Sequence, residues 1–465
     1  MVSLKIAELK RAHQEFFKTN KNQKIKSRIN YLKKLKRVID GNENLIFKAL
    51  HKDLKKPIFE SFASEILMIQ KEIDFFTKNL KALSAPVKVS GSLINFPSQD
   101  YIISEPYGNI LMISPWNYPF QLALVPLIGA IAAGNTVILK PSESAPHTSK
   151  ILKGLLSKVF PKGMVSVVEG DAKVAQKLLK EQWDYIFFTG STVVGKIVAR
   201  AAANFLTPIT LELGGKSPCI VDGTTPLKKT ARRIIWGKFL NCGQTCIAPD
   251  YILVKSETKE SLVKSIIIEI ENAFGSNVKN SKDYGRIIND TNFDRVQALL
   301  EDAKENGAKV EFGGKVNKQD RYIQPTLLSN INMEMKIMQD EIFGPILPVV
   351  PFKNKEDVTE LLNSFPSPLA LYIMSNNKDN TKYFLDHTVA GGTCINELML
   401  TSVNPHLPFG GVNNSGVGKT GGKHSFMDFS NQRGVIKRKY GNSIKLIYPP
   451  FNKQIFKYFQ KVIKF

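Results

Sequence analysis

The chain has 465 residues, 43% of them hydrophobic, a length that suggests about three domains with real cores. Its 64 lysines and arginines against 41 acidic residues leave a net charge of +23, which attracts anions in general, but no arginine-rich run or RNA-binding aromatic motif accompanies it, so no nucleic acid partner is expected. No apolar run reaches eighteen residues, the lysine-rich start lacks the centre of a signal peptide, and four scattered cysteines build no disulfide framework, which together predict a cytoplasmic protein.

Residues 1 to about 82 carry Leu, Ile and Phe at three- and four-residue spacing among lysines, which predicts helices. Residues 84–104 are polar and extended in pattern. Strand and helix then alternate, with apolar strands expected at 109–114, 136–140, 165–168, 185–189 and 209–213, each separated by room for one helix. The fold class predicted is α/β, with a doubly wound parallel sheet that takes a nucleotide at the carboxyl ends of its strands. A second α/β unit begins after residue 212, with strands expected at 218–221, 251–255, 322–328, 346–350, 369–374 and 392–396 and a helix over 227–240. The division expected is a cofactor domain of 1–83 with 105–211, a catalytic domain of 212–400, small β bridging strands at 84–104 and 424–440, and a tail of 441–465.

Between the helix at 227–240 and the next strand, Phe239-Leu-Asn-Cys-Gly-Gln-Thr-Cys246 sets Cys246 in a small, polar, glycine-containing turn. A thiol there has amide donors and solvent access, and it can react as a nucleophile. Cys242 lies four residues earlier, but no cysteine or histidine cluster follows at zinc-ligand distance, so no metal is expected. Ordinary buried thiols are the bland alternative. Glu212 ends a buried strand before a glycine pair and can serve as a base; Asn117, in a proline-held turn after another strand, offers a neutral amide to an oxyanion. Together the three describe acyl chemistry at a carbonyl carbon. Lys140 and Glu143 leave the second strand, where a carboxylate accepts from a ribose 2′-hydroxyl and repels a 2′-phosphate, favouring NAD over NADP. Gly190-Ser191-Thr-Val-Val-Gly195 opens a helix whose first amides can face a pyrophosphate.

Pro115-Trp-Asn-Tyr-Pro, Leu211-Glu-Leu-Gly-Gly-Lys and Gly243-Gln-Thr-Cys246 resemble the signatures of the aldehyde dehydrogenase family. So do Lys140-Pro-Ser-Glu143, Phe188-Thr-Gly-Ser-Thr192, Glu341-Ile-Phe-Gly-Pro345 and Pro408-Phe-Gly-Gly411, in family order from about residue 105 to residue 430. The resemblance implies NAD(P)-dependent oxidation of an aldehyde through a Cys246 thiohemiacetal and thioester. It assigns Glu341 to the nicotinamide ribose, Phe343 to the nicotinamide side and Trp116 to the cofactor contacts, with Glu341 a second candidate base. It also implies a homodimer in which the bridging strands pair. Asn241-Cys-Gly-Gln-Thr-Cys-Ile-Ala-Pro-Asp-Tyr251, Lys216-Ser-Pro-Cys219 and Tyr448-Pro-Pro are similar to the class 3 or fatty aldehyde branch, which oxidises medium- and long-chain aliphatic and aromatic aldehydes. One departure stands out: where that branch commonly has Ser-Gly-x-Gly-x-Tyr-His-Gly-Lys, this chain has Ser415-Gly-Val-Gly-Lys-Thr420-Gly421-Gly-Lys423.

The tail, residues 451–465, has four lysines on one helical face and apolar residues on the other. Two readings stay open for it: a helix docked on the body, or a peripheral contact with a membrane surface. The latter supports the alternative of a basic membrane- or anion-binding protein on a retained dehydrogenase fold.

Overall fold

The computed structural model describes residues 2–91, 96–439 and 448–450, with Lys453, Gln454, Phe456, Lys457 and Gln460. Most of the amphipathic tail and part of the first bridging segment, Leu93 included, lie outside the described residues. Among the described residues no helix is long and apolar enough to cross a membrane.

The expected alternation of strand and helix is realised as two parallel sheets. The first has six strands in the order Gly416–Val417, Ile209–Glu212, Tyr185–Thr189, Asn109–Ile113, Thr136–Lys140 and Val165–Val167, all parallel except the first. These strands are apolar runs buried on both faces, as parallel sheets require. The chain winds outward from Asn109–Ile113 to Val165–Val167, then returns to that strand's other side. The loops after Asn109–Ile113 and Tyr185–Thr189 therefore flank a topological switch point. The N-terminal helices Ile25–Asp40, Glu43–Leu54 and Leu67–Leu83 bury Leu32, Leu35, Ile39, Ile46 and Phe76 in the same core as Ile110, Met112 and Val137.

The second sheet has seven strands in the order Lys309–Phe312, Thr326–Ser329, Ile346–Phe352, Tyr251–Lys255, Pro218–Val221, Ala370–Met374 and Gly392–Ile395. Only Lys309–Phe312, an edge strand absent from the sequence reading, runs antiparallel. Its alternation is weak because it is only half covered. The strand expected at 322–328 is two pieces: Tyr322–Ile323 pairs with Val316–Asn317, and Thr326–Ser329 joins the sheet. Gln324-Pro325 divides them, since proline brings no ladder donor.

A third, antiparallel sheet joins Val87–Lys88, Gln99–Pro106 and Ser430–Lys437. The bridging strand expected from residue 424 begins later, at Ser430, because Lys423–Asp428 is a helix that buries Phe426 against the first core. His424 lies in that helix.

Candidate active site

Cys246 sits in a turn that the chain is forced to make. Helix Leu227–Phe239 ends at a reversal in which Asn241, Cys242 and Gly243 have φ of +52°, +54° and +73°. Left-handed backbone is unfavourable for a cysteine, so the surroundings must impose it. Asn241 Nδ2 donates to the Asn117 carbonyl at 2.8 Å, while Gln244 Nε2 donates to the Asn241 and Arg286 carbonyls at 2.9 and 3.0 Å. The remaining Gln244 oxygen accepts the Ile288 amide at 3.0 Å. Gly243 leaves room for a neighbour: a Cβ there would meet the Gly344 carbonyl at 2.3 Å. The turn bearing Cys246 is thus packed on the turn bearing Glu341. Cys242 is buried against Tyr284 and Gly285 rather than in the cavity.

Glu341 is placed by two braces. Lys216 Nζ donates to Asp250 Oδ2 at 2.6 Å and to the Ile337 and Asp340 carbonyls at 2.9 and 3.0 Å. The other oxygen of Asp250 accepts the Ile342 amide at 3.1 Å. From the outer side Arg295 donates to the Glu341 and Ile342 carbonyls at 3.2 and 2.7 Å. The carboxylate lies over Gly214, where a Cβ would come within 2.0 Å of it, and accepts from the Gly215 amide. Gly214 of Leu213-Gly-Gly-Lys216 thus leaves the space that Glu341 fills, and the same motif's lysine anchors the turn behind it. Sequence reasoning quoted Lys216 and Asp250 only within family and branch motifs, gave them no role and missed Arg295, since the partners of these residues lie about 35 to 120 residues away.

Glu212 ends its strand at the same crevice and is 6% exposed. Thr420 Oγ1 donates to its Oε1 at 2.9 Å, and Oε2 has no partner among the described residues. Burial pushes Glu212 up to about 8 against this bond and the opposing Lys419 charge, with Asp428 adding to the rise. Burial, with Asp250 nearby, likewise pushes Glu341 up to about 8. Both carboxylates, after burial, push the Cys246 thiol well up, opposed by the amides of Cys246 and Ile247 aimed at the sulfur. Asn117 is buried and spends one N–H on the Gln244 carbonyl at 3.1 Å, leaving its second. Its turn is seated by Lys56, which donates to the Asn117 carbonyl at 3.2 Å and pairs with Glu65 at 2.5 Å, both side chains fully buried.

Cys246, Glu212 and Thr420 share a cavity of ≈ 600 Å³ with Trp236, Phe239, Met399 and Phe409. Across the crevice, Trp116 and Phe343 meet edge to face at 5.3 Å, Phe343 in left-handed backbone at φ +48°. Lys140 and Glu143 form an ion pair at the carboxyl end of their strand, the lysine buried and the carboxylate open to solvent. Ser191 caps helix Thr192–Ala203 by accepting the Val194 amide, and Gly195 lets that helix close on Leu213, where a Cβ would come within 2.6 Å. The exposed apolar stripe of Val193, Val194 and Ile197 flanks this helix start. A helix N-terminus, an apolar wall, an open carboxylate beside a lysine and an aromatic pair fit a dinucleotide lying along the strand ends.

The sequence model of the Aldehyde dehydrogenase family matches residues 5–435. Aldehyde dehydrogenase family 3 member A2 of Rattus norvegicus is 43% identical over 436 residues, 93% of this chain and 89% of that protein. The 4,4′-diaponeurosporen-aldehyde dehydrogenase of Staphylococcus aureus is 42% identical, covering 97% of each chain. Among solved structures, the substrate-bound state of Staphylococcus aureus AldH superposes with a TM-score of 0.95 at 41% identity, over 98% of this chain and 99% of that one. The NAD+ complex of a Bacillus cereus aldehyde dehydrogenase gives 0.84 at 26% identity, over 94% and 89%. An NADP-dependent enzyme of E. coli gives 0.86 at 25%, over 94% and 90%. The alternative of a basic membrane- or anion-binding protein receives no support from any of these.

Proposed function

The chain belongs to the aldehyde dehydrogenase family, and from that premise we propose that the Cys246 cavity oxidises medium- to long-chain aliphatic or aromatic aldehydes to carboxylic acids with NAD, and less readily with NADP. The observation that carries this reading is the convergence of Cys246 and Glu212 on one largely apolar cavity of ≈ 600 Å³, with Asn117 hydrogen-bonded to the Gln244 carbonyl in the turn that bears Cys246. Apolar walls favour a hydrocarbon substituent by excluding water from it.

Cys246 passes its proton to one of the two carboxylates that face it, Glu341 or Glu212, and adds through sulfur to the aldehyde carbon. The oxyanion that forms is met by the second N–H of Asn117 and the Cys246 amide, donors fixed before the reaction begins. Bound nicotinamide would accept the hydride that leaves as the carbonyl re-forms. An acyl group then remains on Cys246 as a thioester. Glu212 takes a proton from water, the resulting hydroxide adds to the acyl carbon, and the Cys246 thiolate leaves. The closed cavity keeps Glu212 basic enough for this. Glu341 is the second carboxylate facing Cys246; we assign it to the nicotinamide ribose, with Phe343 and Trp116 beside the ring, and it becomes the base if Glu212 fails its test.

Lys140 and Glu143 would hold the adenosine ribose, and Gly190, Ser191 and Gly195 the pyrophosphate. We further propose that residues 1–83 with 105–211 form the cofactor domain and 212–400 the catalytic domain. The shared core of the N-terminal helices and the first sheet supports that grouping. A homodimer through the bridging sheet is supported by Val87, Val89 and Ile436, apolar yet 57%, 44% and 57% exposed there. A panel of aliphatic aldehydes of increasing length beside benzaldehyde, assayed with NAD and with NADP for acid and reduced cofactor, tests the reading. Rates that rise with chain length support it; activity confined to the shortest aldehydes refutes the substrate class.

A further inference from the structure

The departure at residues 420 and 421 puts a threonine and a glycine where that branch commonly has a tyrosine and a histidine, and the threonine has a partner. Thr420 Oγ1 donates to Glu212 Oε1 at 2.9 Å between two buried side chains, and is the only hydrogen-bond donor to this carboxylate among the described residues. Its backbone is clamped on Phe409, each amide donating to the other's carbonyl, at 2.6 and 2.9 Å. Gly418 and Gly421 on either side take φ of +87° and +94°, so a tight turn presents the hydroxyl from a fixed point. The other oxygen of Glu212 is buried without a partner among the described residues, and Glu212, Thr420 and Cys246 all line the same cavity.

We propose that Thr420 is a positioning residue for the deacylation base: its one hydroxyl proton holds ionised Glu212 with Oε2 toward Cys246, and turns to the Phe409 carbonyl when Glu212 is protonated. The proposal rests on Glu212 being that base. A hydroxyl has a single hydrogen, and the Phe409 carbonyl lies 3.3 Å from Thr420 Oγ1, so carboxylate and carbonyl compete for it. Protonated Glu212 can donate into the hydroxyl oxygen instead, which releases the hydrogen to Phe409. The bond thus favours the charged carboxylate against its burial. Three other charged groups act on Glu212. Lys419 on the same turn, whose ammonium bonds the Gly410 and Gly411 carbonyls, favours ionisation; Asp428 on the following helix and Cys246, as thiolate, oppose it.

The test compares Thr420→Val and Thr420→Ser with the parent enzyme and Glu212→Gln, reading the first-turnover burst of reduced cofactor, the steady rate from pH 6 to pH 10, and the acyl-enzyme by intact mass. Thr420→Val is expected to keep its burst, lose about tenfold in steady rate at pH 7 and accumulate acyl-enzyme, with the alkaline rise moved up by about one pH unit. Thr420→Ser, which keeps the hydroxyl, restores all three readings. A valine variant whose pH onset stays put or moves down, or a serine variant that fails to rescue, overturns the positioning role. Full steady turnover in Glu212→Gln overturns the base assignment and the proposal with it. A stalled Glu212→Gln beside a Thr420→Val indistinguishable from the parent overturns the proposal alone.

Discussion

At the residue scale, the proposed nucleophile and base separate cleanly in kinetics. Cys246→Ala removes the group proposed to form the bond to carbon, so acid production should vanish while NAD, whose adenosine end we propose lies on the first sheet, binds within a few-fold of the parent in a fluorescence titration. Retained dehydrogenase turnover would sink the assignment. Cys242→Ala, which empties a buried site against Tyr284 and leaves the cavity wall intact, should be far milder. Glu212→Gln should give a burst of reduced cofactor with little steady rate, since only hydrolysis of the thioester needs the base. The parent's pH profile follows from the same residue. With Glu212 raised to about 8, roughly a tenth of it is ionised at pH 7 and nine-tenths at pH 9, so a deacylation-limited rate should rise about tenfold across that interval. A flat profile over pH 7–9, with deacylation still limiting, would mean that neither carboxylate raised to about 8, Glu212 or Glu341, is the base.

At the scale of elements, the site is a junction of turns that hold one another. A Cβ on Gly243, which has φ of +73°, would come within 2.3 Å of the Gly344 carbonyl, so only glycine fits there. Gly243→Ala would push the Cys246 turn off the Glu341 turn. It should therefore lower kcat for aldehyde oxidation more than a hundredfold, and a variant with normal kcat would mean that the two turns are not rigidly coupled. Lys216 and Asp250 are 7% and 4% exposed, so removing Lys216 strips buried Asp250 of its direct counter-charge and leaves only Lys238, 4.0 Å away. Lys216→Met should cost on the order of 3–5 kcal/mol in denaturant unfolding. A loss below about 1 kcal/mol, the size typical of a surface pair, would show that the Glu341 turn does not depend on this brace.

At the scale of the molecule, the chemistry is set against stability. Burial raises Glu60 and Glu72 to about 7, and Glu212 and Glu341 to about 8, from a usual 4.5. A carboxyl raised on folding binds its proton more tightly in the folded state. Folded stability from these groups is therefore greatest below about pH 4.5 and declines as pH rises toward their folded values of about 7 to 8. The Tm of Glu212→Gln minus that of the parent should grow between pH 5 and pH 8.5, as the parent begins to carry a buried charge that glutamine never acquires. A difference independent of pH would mean that Glu212 is better solvated than its surroundings suggest.

Much of this was legible in the sequence because its causes are local. Buried apolar runs of four or five residues alternating with helices dictate parallel strands, so those of the first sheet were read to within a residue or so. Turn chemistry marked Cys246, Glu212 and Asn117 for the same reason: a reactive group between glycine and proline has few structural excuses. The weak edge strand Lys309–Phe312 was not legible, because an edge strand is defined by its partner rather than by its own pattern. Nor were Thr420, Arg295 and the Lys216–Asp250 brace as parts of one site, since their partners are about 35 to 208 residues distant in the chain. What the residues are able to do was in the sequence; which carboxylate receives which donor, and so where its proton resides, was decided only when the tertiary fold removed water and brought those distant groups within hydrogen-bond reach.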